Sequence, residues 1–148
     1  AVNNVIARNR VRRSRSSAFK VARQIDHVDS NGVSLTPSTY RAPGLVFTGN
    51  SVADTRYFGF EIDQTVGVLV HKNSVETTDY SSVYILRSDD ARITKNAVDA
   101  FGFVARREEV TWPWDVEQSS GIFCDVGTVR ARIQSNEVTG TPGLGKFG

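Results

Sequence analysis

One pattern governs what this chain can fold into: an asparagine with apolar residues at fixed distances around it, rewritten along the whole length. Around Asn73, Val70 stands three residues before, Val68 five before and Val75 two after. The same frame reads Leu45, Phe47, Asn50, Val52, then Ala91, Ile93, Asn96, Val98, then Ala131, Ile133, Asn136, Val138. Weaker copies stand at Ile6, Asn9, Val11 and at Val28, Asn31, Val33, making six in 148 residues. Successive asparagines are 22, 19, 23, 23 and 40 residues apart. A period of this size marks a solenoid, in which each turn buries its apolar face only by stacking on its neighbours.

The residue types decide which solenoid. Leucine-rich repeats need a Leu-rich frame, whereas the inward slots here hold Val, Ile, Ala and Phe. Those β-branched and aromatic residues alternate with polar ones, the period-two mark of strands. The expected fold is therefore all-β: a right-handed single-stranded parallel β-helix of about six coils, with one insertion between Asn96 and Asn136. In each coil a strand runs up to the Asn, the chain bends, and a second strand opens with the Val two residues on. Asn suits the bend because it tolerates the left-handed conformation and its amide can bond nearby backbone. Stacking places the asparagines about 4.8 Å apart, close enough for their amides to form a ladder. A third strand is expected ten to twelve residues after the Asn, at Phe19 and Val21, Phe60 and Ile62, and Val83 and Ile85.

Residues 1–148 are expected to form a single β-helix domain, an excerpt of a longer chain or a unit capped by a partner, since no polar cap precedes the first coil. Residues 140–148 read as a Gly-rich tail and 34–44, with two prolines, as a loop. No apolar run approaches the ~20 residues needed to span a bilayer, and no signal peptide is expected. Cys124, the one cysteine, lies in a strand-like run and reads as buried filler. His27 and His71 fall in coils that are not adjacent, so no metal and no cofactor are expected.

Residues 1–25 hold seven basic residues and no acid, while the other 123 carry 11 basic and 16 acidic ones. The asymmetry invites a polyanion reading. Arg8, Arg10 and Arg12, however, fall on outward slots where any soluble residue serves, and no aromatic residue stands among them to stack bases. Nucleic acid is therefore not expected as a partner.

The outward slots of the third strand carry Glu61 and Asp63 in one coil and Tyr84 and Leu86 in the next, with Val104 and Arg106 expected after them. Two carboxylates beside a flat ring, with a guanidinium farther along, suit a sugar-binding groove: acids transfer protons, a ring stacks on a pyranose, Arg neutralises a uronate. Between Asn96 and Asn136, residues 107–119 read as an inserted loop or a degenerate coil. They hold Trp112 and Trp114, expected to flank the groove, since exposed indoles stack on sugars.

The Ile-x-x-Asn-x-Val frame, followed by a Gly-apolar-x-apolar strand, resembles the repeat of right-handed parallel β-helix proteins of the pectate-lyase type. That group includes polygalacturonases, mannuronan epimerases and phage tailspikes. The resemblance covers Ile6 to Val138 and implies carbohydrate polymers as the class of partner, in an extracellular or virion-surface setting rather than a cytoplasmic one. It supplies no reaction. Of the polygalacturonase motifs only Asp89-Asp90 and Arg92-Ile93-Thr94 come near, and no Asp precedes any of the four prolines, as an epimerase Asp-Pro-His would require. The leading expectation is a module that engages a polysaccharide, with Glu61 and Asp63 as acid and base if it is catalytic, and Tyr84, Arg106, Trp112 and Trp114 as binding residues. The rival is a non-catalytic assembly module of a larger fibre, its outward apolar residues Val46, Leu69, Tyr84, Leu86 and Val104 buried in a homo-oligomer or against the rest of a longer chain. A third option is polyanion binding through Arg8–Arg23.

Overall fold

The computed structural model describes residues 4–21, 42–99 and 120–140. Among them there is no helix, and so none long and apolar enough to cross a membrane. The strands are short and all pair in parallel. The first sheet is built from β1 (Val5–Ala7), β5 (Val46–Thr48), β9 (Leu69–His71), β12 (Arg92–Thr94) and β15 (Arg132–Gln134), hydrogen-bonded in that order. The second holds β2 (Arg10–Arg12), β6 (Ser51–Thr55), β10 (Ser74–Thr78), β13 (Ala97–Asp99) and β16 (Glu137–Thr139). The third holds β3 (Phe19–Val21), β7 (Phe60–Asp63), β11 (Val83–Leu86) and β14 (Ile122–Cys124), and a fourth, small sheet pairs β4 (Ala42–Pro43) with β8 (Thr65–Val66). Along the chain the strands visit the first, second and third sheets in rotation, an arrangement consistent with a parallel β-helix.

Register explains why the repeat has its composition. In the first sheet Ile6, Phe47, Val70, Ile93 and Ile133 stand side by side, and in the second Val11, Val52, Val75, Val98 and Val138. The third aligns Phe19, Phe60, Val83 and Ile122, then Val21, Ile62, Ile85 and Cys124. The expected third-strand pairs at Phe19, Phe60 and Val83 thus hold residue for residue. Because side chains alternate along a strand, inward residues of all three sheets meet in one core, among them Phe47, Val70 and Ile93, Val52 and Val75, and Phe60, Ile62, Val83 and Ile85. Its aromatic centre is Phe60, stacked on Phe19 at 5.0 Å and set edge-on to Phe47 at 5.6 Å between ring centres. Cys124 packs against this core, and burial pushes its thiol pKa up.

The asparagines form a continuous ladder. Each Oδ1 accepts the backbone N–H and the side-chain amide of the preceding Asn, from Asn9 to Asn50, Asn73, Asn96 and Asn136, at 2.9–3.1 Å. The second amide hydrogen of Asn50, Asn73, Asn96 and Asn136 goes to a carbonyl of the preceding rung, at Ile6, Phe47, Val70 and Ile93 respectively. The left-handed residue of the bend is not the Asn, as expected from the sequence, but the one before it. Arg8, Gly49, Lys72, Lys95 and Ser135 all have φ between 52° and 64°. The asparagine is selected instead by its side chain, which has the two donors and one oxygen needed to bridge two rungs.

Two expectations about rung order change. Asn9 bonds directly to Asn50 and β1 pairs directly with β5, so no rung separates them, and the copy at Val28, Asn31 and Val33 lies outside the described residues. Asn96 likewise bonds directly to Asn136, and β14 pairs with β11. The third strand of that rung is therefore Ile122–Cys124 rather than a strand through Val104 and Arg106.

Candidate functional site

The outward face of the third sheet carries Lys20, Glu61, Tyr84 and Phe123 in one in-register row, with Asp63 beside Leu86 in the next. Each charged group here has a partner. Glu61 accepts a hydrogen bond from Ser17 Oγ at 2.5 Å and pairs with Lys20 Nζ at 2.7 Å. Asp63 is held bidentately by Arg87, whose Nε lies 2.9 Å from Oδ1 and whose Nη2 meets Oδ2. A two-pronged guanidinium–carboxylate pair is the most directional ion pair available to side chains, and Asp63 is only 8% exposed. The two expected acid–base residues therefore share a strand face, but both carboxylates are committed to fixed partners.

Tyr84 is buried to 8% exposure and its ring is sandwiched, stacked on Phe58 at 4.5 Å and on Phe123 at 5.8 Å. Its hydroxyl donates to Asp125 Oδ2 at 2.6 Å. Desolvation raises the phenol pKa well above its usual value. The bond to Asp125 and the negative charges of Asp125, Asp63 and Glu61 push it the same way. Tyr84 thus sits in the expected place but with its faces covered. Asp125 takes the position beside Leu86 that sequence spacing assigned to Arg106, and the guanidinium of this face is Arg87 instead. Arg106, Trp112 and Trp114 lie outside the described residues, as do Val104 and His27.

The exposed aromatic surface is one that the sequence reading missed. Tyr57 is 45% exposed and stacks on Tyr80 at 5.4 Å with the ring planes 3° apart. Tyr80 in turn meets Phe58 at 5.5 Å, joining this stack to the Phe58–Tyr84–Phe123 row. The signal was present, since each tyrosine stands seven residues after its ladder Asn, Asn50 and Asn73. Next to the stack a depression of about 440 Å³ is lined by Arg13, Arg15, Asp54, Arg56 and Asp79 among others. Together these residues form an aromatic ridge whose exposed end is Tyr57, Phe58 and Tyr84 being buried, with acceptors and guanidinium donors beside that end. No family model, curated protein or solved structure matches this chain.

Proposed function

We propose that the chain is a right-handed single-stranded parallel β-helix of the pectate-lyase-like kind, with a polysaccharide-engaging surface on the outside of its third sheet. The observation that carries this reading is the Tyr57–Tyr80 stack running into Phe58, Tyr84 and Phe123. A flat ring offers its face to the C–H face of a pyranose, and Tyr57, 45% exposed at the end of the stack, is the ring placed to make that offer. Arg13, Arg15, Asp54 and Arg56 line the depression beside it, where they can exchange hydrogen bonds with hydroxyls. The role favoured is binding rather than chemistry, because Glu61 is engaged by Ser17 and Lys20 and Asp63 by Arg87.

The test is affinity electrophoresis through gels containing a panel of neutral and acidic polysaccharides. At least one polymer is expected to retard the protein, and Tyr57→Ala to relieve the retardation while the circular dichroism spectrum stays the same. No retardation by any polymer, or retardation unaffected by Tyr57→Ala, overturns the reading.

A second reading, an assembly module, has its own support. Ile133 belongs to the inward row of the first sheet yet is 49% exposed, because β15 is the last strand of that sheet. Another rung laid over β15 would bury it. Light scattering showing a strict monomer at all concentrations counts against this second reading alone.

A further inference from the structure

Charge is distributed unevenly among the sheets. The outward side of the third bears Glu61, Asp63 and Asp125, with Lys20 on its edge strand. The second bears Glu76, Asp99 and Glu137 against Arg10 and Arg12 at its other end. The first sheet differs. Its outward rows run Val5, Val46, Leu69, Arg92, Arg132 and Ala7, Thr48, His71, Thr94, Gln134, without a single acid. Arg92 and Arg132 are direct neighbours in register, both exposed, about 4.8 Å apart at the backbone. Like charges placed directly opposite on paired strands destabilise the pairing unless something neutralises them.

Nothing within the described residues does so by contact. Neither guanidinium has a hydrogen-bond or ion-pair partner there. Asp90 lines a small neighbouring depression with both arginines, but both its oxygens are taken by Arg130, at 2.7 Å and 3.0 Å. The Asp90 carboxyl is held below its usual range first by that hydrogen bond, with the charges of Arg130 and Arg132 adding to it. The two arginines instead line a depression of about 390 Å³ together with Leu69, His71, Thr94 and Gln134. His71 is held toward Thr94 by a 2.8 Å contact between Nδ1 and Oγ1.

We propose that this depression on the first sheet binds a tetrahedral oxyanion group carried by a ligand, a phosphate or sulfate ester. Two unpartnered guanidinium forks match such an anion in charge and in geometry, each able to give two parallel N–H bonds to adjacent oxygens. A lone carboxylate has two oxygens and one charge, and cannot engage both forks fully. Thr94, Gln134 and His71 supply further donors at the rim, and Leu69 an apolar wall for the carbon body beside the ester. No flat carbon ring lies in these two rows, which sets this surface apart from the aromatic ridge and makes it a separate site, independent of that reading.

The experiment is titration of the ¹⁵N-labelled chain with inorganic phosphate, inorganic sulfate, phenyl phosphate and phenyl sulfate, each against sodium chloride at equal ionic strength. Saturable amide shifts are expected in residues 69–71, 92–94 and 132–134, with the phenyl esters showing which of the two oxyanions is preferred. Arg92→Gln and Arg132→Gln should each weaken binding about tenfold or more, the effect of removing one charge-assisted hydrogen bond. Arg10→Gln on the second sheet should leave it unchanged, and Arg132→Lys, which keeps the charge but loses the fork, should fall between. The proposal is overturned if chloride reproduces the shifts, if they spread equally to Arg10 and Arg12, or if the double variant, its spectrum otherwise native, binds as before.

Discussion

Truncating the centre of the asparagine ladder should cost far more than truncating its end. In Asn73→Ala, the Oδ1 that accepts Asn50 N–H at 2.9 Å and Asn50 Nδ2 at 3.0 Å disappears. So do the two hydrogens given to Phe47 O and to Asn96 Oδ1, both at 3.0 Å. Asn96 Oδ1 keeps the backbone N–H of Asn73, and Asn50 Nδ2 keeps Ile6 O. The net loss is two orphaned donor hydrogens on Asn50, which is only 1% exposed, and one carbonyl deprived of an acceptor bond. At about 1–3 kcal/mol for each of these three groups left without a partner, the cost comes to roughly 3–9 kcal/mol. Asn9 is exposed and donates only to Ala7 O and Asn50 Oδ1, so water replaces it and Asn9→Ala should cost about 0.5–1 kcal/mol. Urea denaturation of both variants, compared by midpoint at a shared slope, gives the difference directly. Asn73→Asp is a useful companion. A carboxylate cannot donate to Phe47 O or Asn96 Oδ1, so the fold favours the protonated form and raises that pKa. The variant should therefore be nearer wild type in acid and lose stability as pH rises through the raised value. Equal costs for Asn9→Ala and Asn73→Ala would refute the claim that the amide ladder, rather than the apolar rows alone, holds the rungs in register.

Two further outcomes follow from local geometry. Gly59→Ala would put a Cβ 2.6 Å from Ser82 O and 2.7 Å from Val75 Cγ1, so thermal melting should show a loss of about 1–3 kcal/mol or more. Gly67→Ala meets nothing within 4 Å and should cost only about 1–2 kcal/mol, for its φ of +68°. Tyr84 should give a late phase in an absorbance titration at alkaline pH, and Tyr84→Phe should remove that phase. Because its folded pKa is raised above the unfolded value, its contribution to stability is complete at neutral pH and is lost only as pH climbs from about 10 upward.

How much could be read in advance depended on whether an interaction kept to one row of the frame. The core rows, the ladder and the third strand each stand at a constant offset from the asparagines, so counting placed Phe60, Ile62, Val83 and Ile85 without coordinates. Lys20 and Glu61 share the offset of eleven from Asn9 and Asn50, and their ion pair was within reach of the same count. The Asp63–Arg87 pair was not. It runs diagonally, from the end of a strand to a residue with φ of 44° in the bend of the next rung, and a strand template does not aim side chains there. Asp125 escaped for a different reason: residues 100–119 enter the rung between β13 and β14, so counting forward from Asn96 loses the frame before the third strand is reached.

The same distinction separates the aromatic surface from the arginine pair of the first sheet. Arg92 and Arg132 each stand four residues before a ladder Asn, in the row that also holds Leu69, Val46 and Val5. Their adjacency is therefore written into the repeat and could have been read from it. That they lack a partner is not, because whether Asp90 serves Arg92, Arg132 or Arg130 depends on how two bend residues with φ of 54° and 56° project across adjacent rungs. A repeat of this kind discloses which side chains are neighbours along the axis. It does not disclose which charges remain uncompensated after the bends have made their pairs, and in a stacked parallel fold that remainder is what a ligand meets.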